Sequence, residues 1–219
     1  METACEAPVK HYDQNYFAWQ KTIGAFGGWA NKTKFEKFIK PTDHVIDFGC
    51  GGGYLLKNFD CKTRTGIEIN TNAHATARQN GVTIYGNMAD VPDNSADVIV
   101  SNHALEHCEA PLNELRQLYS KLKPGGKIIF VVPCETYRYK FRQGDINQHI
   151  YTWSPMCLGN LFQLANFKVI TAEPYMHKWP PFYQTIAKIG GRPLFDFCAR
   201  IYARIERTYF QVRVIATKN

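Results

Sequence analysis

Residues 45–53 read Val-Ile-Asp-Phe-Gly-Cys-Gly-Gly-Gly, an apolar run that passes straight into a glycine cluster. The run has the length of a buried strand, with one acid, Asp47, inside it. Beyond it Gly49, Gly51 and Gly53 stand at alternate positions. Glycine at such a strand end lets backbone N–H groups approach a ligand with no Cβ in the way. In a dinucleotide loop the last glycine admits a pyrophosphate to a helix N-terminus. Asp47 would repel that pyrophosphate and attract an ammonium group. Glu68, in Gly66-Ile-Glu-Ile, falls in the next strand-like run and is suited to accept both hydroxyl hydrogens of a ribose. The combination fits a nucleoside that carries an amino-acid tail. Each residue alone has a plainer use, in capping a turn or packing a helix on a strand, but packing has no need of Glu68.

Apolar runs alternate with helical patterns along most of the chain, which argues for βαβ units and a mostly parallel sheet. Strands are expected at 44–48, 64–69, 82–85, 97–101, 127–132, 168–172 and 211–217. Helices are expected at 53–59, 72–79, 111–122 and 153–167, the last with Ser154 as N-cap and Pro155 in its first position. Residues 1–40 read as an aromatic-rich helical lead-in or lid, including Gln20, Phe26, Gly27 and Gly28. Residues 175–210 read as a helical insertion between the last two strands, and the whole of 1–219 as a single domain.

Composition narrows the class. With 219 residues, 45% hydrophobic and 21% charged, the chain is long enough to bury a substantial core. Seven cysteines without a Cys-x-x-Cys pair suit reduced, packed side chains. No secretory h-region or membrane-length apolar run is visible, so a cytoplasmic chain is expected. The net charge of +7 permits an anionic partner without demanding one.

Asp47-Phe-Gly-Cys-Gly-Gly-Gly, Glu68, Asp97-Val-Ile-Val-Ser-Asn and Leu122-Lys-Pro-Gly-Gly-Lys occur in the order and spacing of a known family. Together they resemble the class I S-adenosylmethionine-dependent methyltransferases. The resemblance implies a Rossmann-like three-layer α/β sandwich whose seven-stranded, mostly parallel sheet ends in an antiparallel strand. It implies S-adenosyl-L-methionine as cofactor. Asp47, Gly49, Cys50 and Gly51 would face the methionine part, Glu68 the ribose and Ile69 the adenine. Asn87 and Met88 stand where the family often has an aspartate for the adenine amino group, and the Asn87 amide oxygen can still accept that hydrogen bond. Asn102 would lie near the sulfonium.

Methyl transfer asks an enzyme to position an acceptor and remove its proton. The polar, aromatic stretch 135–153 has no helical or strand period and suits an acceptor-binding loop. His149 is the general-base candidate, because imidazole titrates near neutrality. Asp145 is placed to orient it, and Tyr151 and Trp153 to stack on a sugar or other ring. The plainer reading gives His149 and Tyr151 to turn capping and helix anchoring. His107 matches a Glu-His that recurs at this place in relatives, near the cleft, although helix packing would also account for it. His103, His107 and Cys108 lack a distant ligand pair, so no metal is expected.

In the insertion, Leu194, Phe197, Cys198, Ile201 and Ile205 share one helical face while Arg200, Arg204 and Arg207 share another. The plain expectation is an amphipathic helix docked by its apolar face with a solvated basic face. An anionic or glycan-linked small-molecule substrate, or a peripheral membrane contact, is the sharper one. No RNA-binding module or dense basic stripe is present, which argues against nucleic acid. Asp-x-Asn-x-His-x-Tyr-x-Trp at 145–153 is reminiscent of methyltransferases of glycan and cell-surface biosynthesis, implying a sugar hydroxyl as acceptor. A silent methyltransferase-fold scaffold, or an enzyme acting on RNA or a lipid-linked acceptor, is the alternative.

Overall fold

The computed structural model describes residues 14–143, 145, 147–207 and 209–219, with side chains from residue 21 onward. Residues 1–13 of the expected lead-in lie outside the described residues. The strands are β1 (His44–Phe48), β2 (Thr63–Ile67), β3 (Thr83–Tyr85), β4 (Ala96–Asn102), β5 (Leu122–Glu135), β6 (Lys168–Tyr175) and β7 (Tyr209–Thr217). They form a seven-stranded sheet in the order β3-β2-β1-β4-β5-β7-β6. β1–β2, β2–β3 and β4–β5 pair in parallel, and β7 runs antiparallel to both β5 and β6. This is the expected α/β architecture with an antiparallel last strand. The chain divides into two compact units, residues 1–92 and 93–219.

In the first unit, Val45 to Phe48 of β1 are all buried, as a strand covered on both faces requires. Helix α1 (Gln14–Asn31) approaches the glycine segment closely. A Cβ on Gly28 would stand 2.2 Å from the Tyr54 carbonyl oxygen, and one on Gly24 would enter the Tyr54 ring. Only glycine permits that approach. Helix α2 (Thr71–Gln79) starts at Asn70, whose side-chain oxygen accepts the Asn72 N–H at 3.1 Å.

The helix expected at 53–59 is reduced to a single 3-10 turn at Leu56–Asn58. Side chains satisfy the carbonyls that an α-helix would have used. Asn58 Nδ2 donates to Tyr54 O, Asn80 Nδ2 to Gly52 O, and Arg64 to Leu56 O and Phe59 O. The glycine turn therefore opens onto no extended helix N-terminus, the feature that a pyrophosphate seeks.

In the second unit, Ile128 to Val132 of β5 are buried without gap. β5 extends back through Lys123-Pro-Gly-Gly, where Gly125 takes φ 75° and its N–H donates to Lys218 O at 2.9 Å. Helix α3 (Pro111–Lys121) buries Leu115 and Leu118. Helix α4 (Pro155–Leu164) begins as the sequence predicts, the Ser154 hydroxyl accepting the Cys157 N–H. Phe162 packs against Phe130 and Phe167 at ring-centroid distances of 5.5 Å.

Helix α5 (Tyr183–Ile205) differs from expectation in which face it buries. It kinks at Gly191, with φ 60° and ψ −157°, and Pro193 opens the second limb. Phe195, Ala199 and Ala203 are buried, whereas Leu194, Phe197, Ile201 and Ile205 are exposed. The apolar stripe read as a docking face stands in water. The small side chains of Ala199 and Ala203 form the contact surface instead.

Candidate active site

The first unit carries the candidate donor site. β1 ends by turning through Gly49, Gly51 and Gly53, whose φ angles of 75°, 52° and 72° lie in the left-handed region. Gly49 N–H and Cys50 N–H both donate to Ile67 O, at 2.9 and 3.2 Å, tying the turn to β2. Glu68 braces it from the side. Its Oε2 accepts the Gly51 N–H and its Oε1 the Asn70 N–H, both at 2.8 Å. Carboxylate oxygens carry further lone pairs, so both remain able to accept hydroxyl hydrogens. The Cys50 sulfur occupies the space over Gly66, where a Cβ would stand 2.3 Å from it.

Asp47 is 2% exposed. Burial, and then the charge of Glu68, holds its carboxyl well above the usual range. Burial also raises Glu68, against the pull of backbone N–H groups, those of Asn70 and Gly51 foremost, and of His74. Two acids held above their ordinary range in one turn suit a cationic neighbour, which favours their ionised forms. An ammonium group with a ribose matches this donor set, and a diphosphate does not.

Around this turn, Ile69 is exposed and Met88 buried. Asn87 is exposed, and its Oδ1 accepts the Ala89 N–H at 2.9 Å, capping a short turn. Asn102 closes β4, in the second unit.

The second unit carries a cluster of histidines and carboxylates at the ends of β4 and β5. Glu106 is fully buried. Burial pushes its carboxyl up, but the hydrogen bond and charge of His103 and the charge of His107 outweigh burial and hold it below the usual range. His103 Nδ1 lies 3.1 Å from Glu106 Oε1. The Glu106 carbonyl oxygen accepts the N–H groups of Ile150 and Tyr151, pinning the 149–151 segment to the turn after β4. His149 Nδ1 lies 2.7 Å from Glu135 Oε1, and its Nε2 lies 3.9 Å from Glu106 Oε1. The His107 and His149 rings meet edge to face, with centroids 5.0 Å apart.

His149 and His107 thus come together. Among the described residues the carboxylates at His149 belong to Glu135 and Glu106, to neither of which the sequence assigns a site role. The available signal was position, since Glu135 ends β5 and ligand-facing residues sit at strand C-terminal ends. Asp145 is half-buried, and its N–H donates to Arg142 O. Tyr151 and Trp153 stack on each other at 5.4 Å; Trp153 is buried, and the Tyr151 hydroxyl donates to Glu109 O. Ligand atoms of Glu106, His107 and His149 lie within 4.8 Å of one another. Of His103, His107 and Cys108, only His107 belongs to this group.

Comparison with known proteins agrees with this geometry. The methyltransferase-domain family model matches residues 18–172. Phosphoethanolamine N-methyltransferase 3 of Arabidopsis thaliana is 32% identical over 111 residues, 45% of this chain and 22% of its own length. Ribosomal protein L11 methyltransferase of Burkholderia mallei is 35% identical over 102 residues, 42% of this chain and 33% of its own. The chain therefore spans a third or less of these two relatives. The solved structure of Haemonchus contortus phosphoethanolamine N-methyltransferase 2 with S-adenosyl-L-methionine superposes with a TM-score of 0.64 at 17% identity, over 93% of this chain and 56% of that one. The chain belongs to the methyltransferase-domain family, within the S-adenosylmethionine-dependent class I methyltransferases.

Proposed function

We propose that the protein transfers a methyl group from S-adenosylmethionine to a hydroxyl of a small polar acceptor, a sugar or related metabolite. Bound S-adenosylmethionine supplies an electrophilic methyl on a sulfonium that departs as a neutral thioether. The chain's part is positioning and proton removal. Asp47 would hold the ammonium, Glu68 the ribose hydroxyls, and Gly49 and Gly51 leave room for the methionine backbone. Glu135 accepts the Nδ1–H of His149, which fixes the tautomer and leaves the Nε2 lone pair to take the acceptor proton. Ionised Glu106 stabilises the imidazolium that results.

The observation that carries the base assignment is the 2.7 Å contact between His149 Nδ1 and Glu135. The relatives act on unlike acceptors, so the hydroxyl reading rests on this dyad and on the polar 135–153 segment. Incubation with methyl-labelled S-adenosylmethionine and a metabolite extract, read by mass spectrometry, tests it. His149→Ala should keep S-adenosylhomocysteine binding and lose labelled product. Full turnover in that variant removes the base. Binding without product from any acceptor favours a silent scaffold.

One observation favours a second reading. Glu106 Oε2 is buried and, among the described residues, has no hydrogen-bond partner. A divalent cation on Glu106, His107 and His149 would satisfy it, with Glu135 orienting His149 from outside. Activity lost on treatment with EDTA and restored by zinc or manganese would establish the cation. Activity indifferent to EDTA would leave His149 as the base.

A further inference from the structure

Leu194, Phe197, Ile201 and Ile205 recur at three- and four-residue spacing along one face of α5, and all are exposed, Phe197 at 62% and Ile205 at 73%. On the preceding limb Phe182 and Ile189 are exposed as well. A row of large apolar side chains in water is costly.

The helix is held firmly by its other side. Phe195, Ala199 and Ala203 are buried, and the Lys178 N–H donates to Ala199 O at 3.2 Å. His177 Nε2 meets Asp196 Oδ1 at 3.1 Å, and the Lys178 ammonium pairs with Glu206. Turning the stripe inward would break both ion pairs. The rotation of α5 is therefore fixed, and the stripe is a built surface.

Charge identifies what the surface fits. Lys188, Arg200, Arg204 and Arg207 are exposed. Arg204 Nη1 and Arg207 Nε donate to the carbonyls of Arg200 and Arg204, and among the described residues no carboxylate pairs with Arg200, Arg204 or Arg207. The acids of this segment, Asp196 and Glu206, are engaged in the ion pairs that anchor the helix. An apolar ridge flanked by cations matches the boundary between headgroups and acyl chains in an anionic bilayer. A second copy of this chain, at a net charge of +7, would set cations against cations.

We propose that α5 is a docking surface for an anionic lipid bilayer, with Phe197, Ile201 and Ile205 entering the acyl boundary and Arg200, Arg204 and Arg207 meeting the headgroups. The proposal goes beyond methyl transfer and does not depend on it. Flotation of the full chain with vesicles of phosphatidylcholine, alone or mixed with phosphatidylglycerol, tests it. The protein should float with the mixed vesicles only, and less as salt is added. Phe197→Ser with Ile201→Ser should abolish flotation while leaving the melting temperature and S-adenosylhomocysteine affinity unchanged. Each of Arg200→Gln, Arg204→Gln and Arg207→Gln should weaken binding about fivefold. Failure of the folded wild type to float, or equal flotation with neutral vesicles at all salt concentrations, would overturn the proposal. So would a wild-type dimer in sedimentation that the Phe197→Ser, Ile201→Ser variant disperses.

Discussion

Replacing Glu68 by glutamine separates what holds the glycine turn from what holds a ribose. The native carboxylate accepts N–H groups from Gly51 and Asn70, each at 2.8 Å. The amide can serve one of them, so one charge-assisted bond of about 1.5–3 kcal/mol is forfeited. Against that loss, the variant no longer buries a charge whose burial outweighs those bonds in setting its pKa. The two effects oppose each other, and the expected change in stability is within about 1 kcal/mol. Its pH dependence has a definite sign. The folded carboxyl holds its proton above the ordinary 4.5, so its contribution to stability is fullest below that value and is lost as pH rises through the raised one. The variant should therefore gain on the wild type across that window. Ligand binding has no such compensation. Ribose hydroxyls lose a charged acceptor worth about 1.5–3 kcal/mol, roughly 10–150-fold in Kd. Calorimetry with S-adenosylhomocysteine beside a thermal melt reads both quantities. An affinity within twofold of wild type, with an unchanged melt, would refute the ribose assignment.

Other perturbations test other parts of the account. Burial and Glu68 hold Asp47 above its ordinary 3.8, so at a pH below that raised value the cofactor's ammonium displaces a proton from it. Cofactor affinity should then rise with pH through the raised Asp47 value, with proton release in calorimetry across two buffers and none in Asp47→Asn. Glu135→Gln should lower kcat by about 10²-fold or more with S-adenosylhomocysteine affinity unchanged, and should move the pH–rate profile. A merely structural Glu135 would leave that profile in place. Gly28→Ala forces a Cβ to within 2.2 Å of the Tyr54 carbonyl oxygen. It should cost about 1–3 kcal/mol, a fall of roughly 2–12 °C in melting temperature, and an unshifted melt would refute the close approach.

The donor side was legible because its chemistry is local. Gly49, Gly51 and Gly53 lie together in sequence, and Glu68 follows one strand later. The alternation of strands and helices was legible in hydrophobic patterning, the antiparallel last strand followed only from the family resemblance, and the strand order is supplied by the structure. The acceptor side was legible in its residues but not in its pairings. The sequence points to His149, and the acid it offers nearby is Asp145. The carboxylate in contact is Glu135, 14 residues away, and it arrives only because the loop folds back on the end of β5. Periodicity in α5 showed which residues share a face and could not show which face is buried. The better signal was Ala199 and Ala203, whose small side chains mark where a helix can approach its neighbours closely. The absent helix after the glycines was hidden for a related reason. Asn58, Arg64 and Asn80 cap its carbonyls from positions that a local pattern does not connect.

The central claim is that the turn formed by Asp47, Gly49, Gly51 and Glu68 binds S-adenosylmethionine. Titration of S-adenosylhomocysteine into the folded wild-type chain tests it most directly. The account predicts saturable binding with a micromolar Kd, abolished by Gly49→Arg in a protein that still melts cooperatively. No detectable binding of either S-adenosylmethionine or S-adenosylhomocysteine to the folded chain would contradict it.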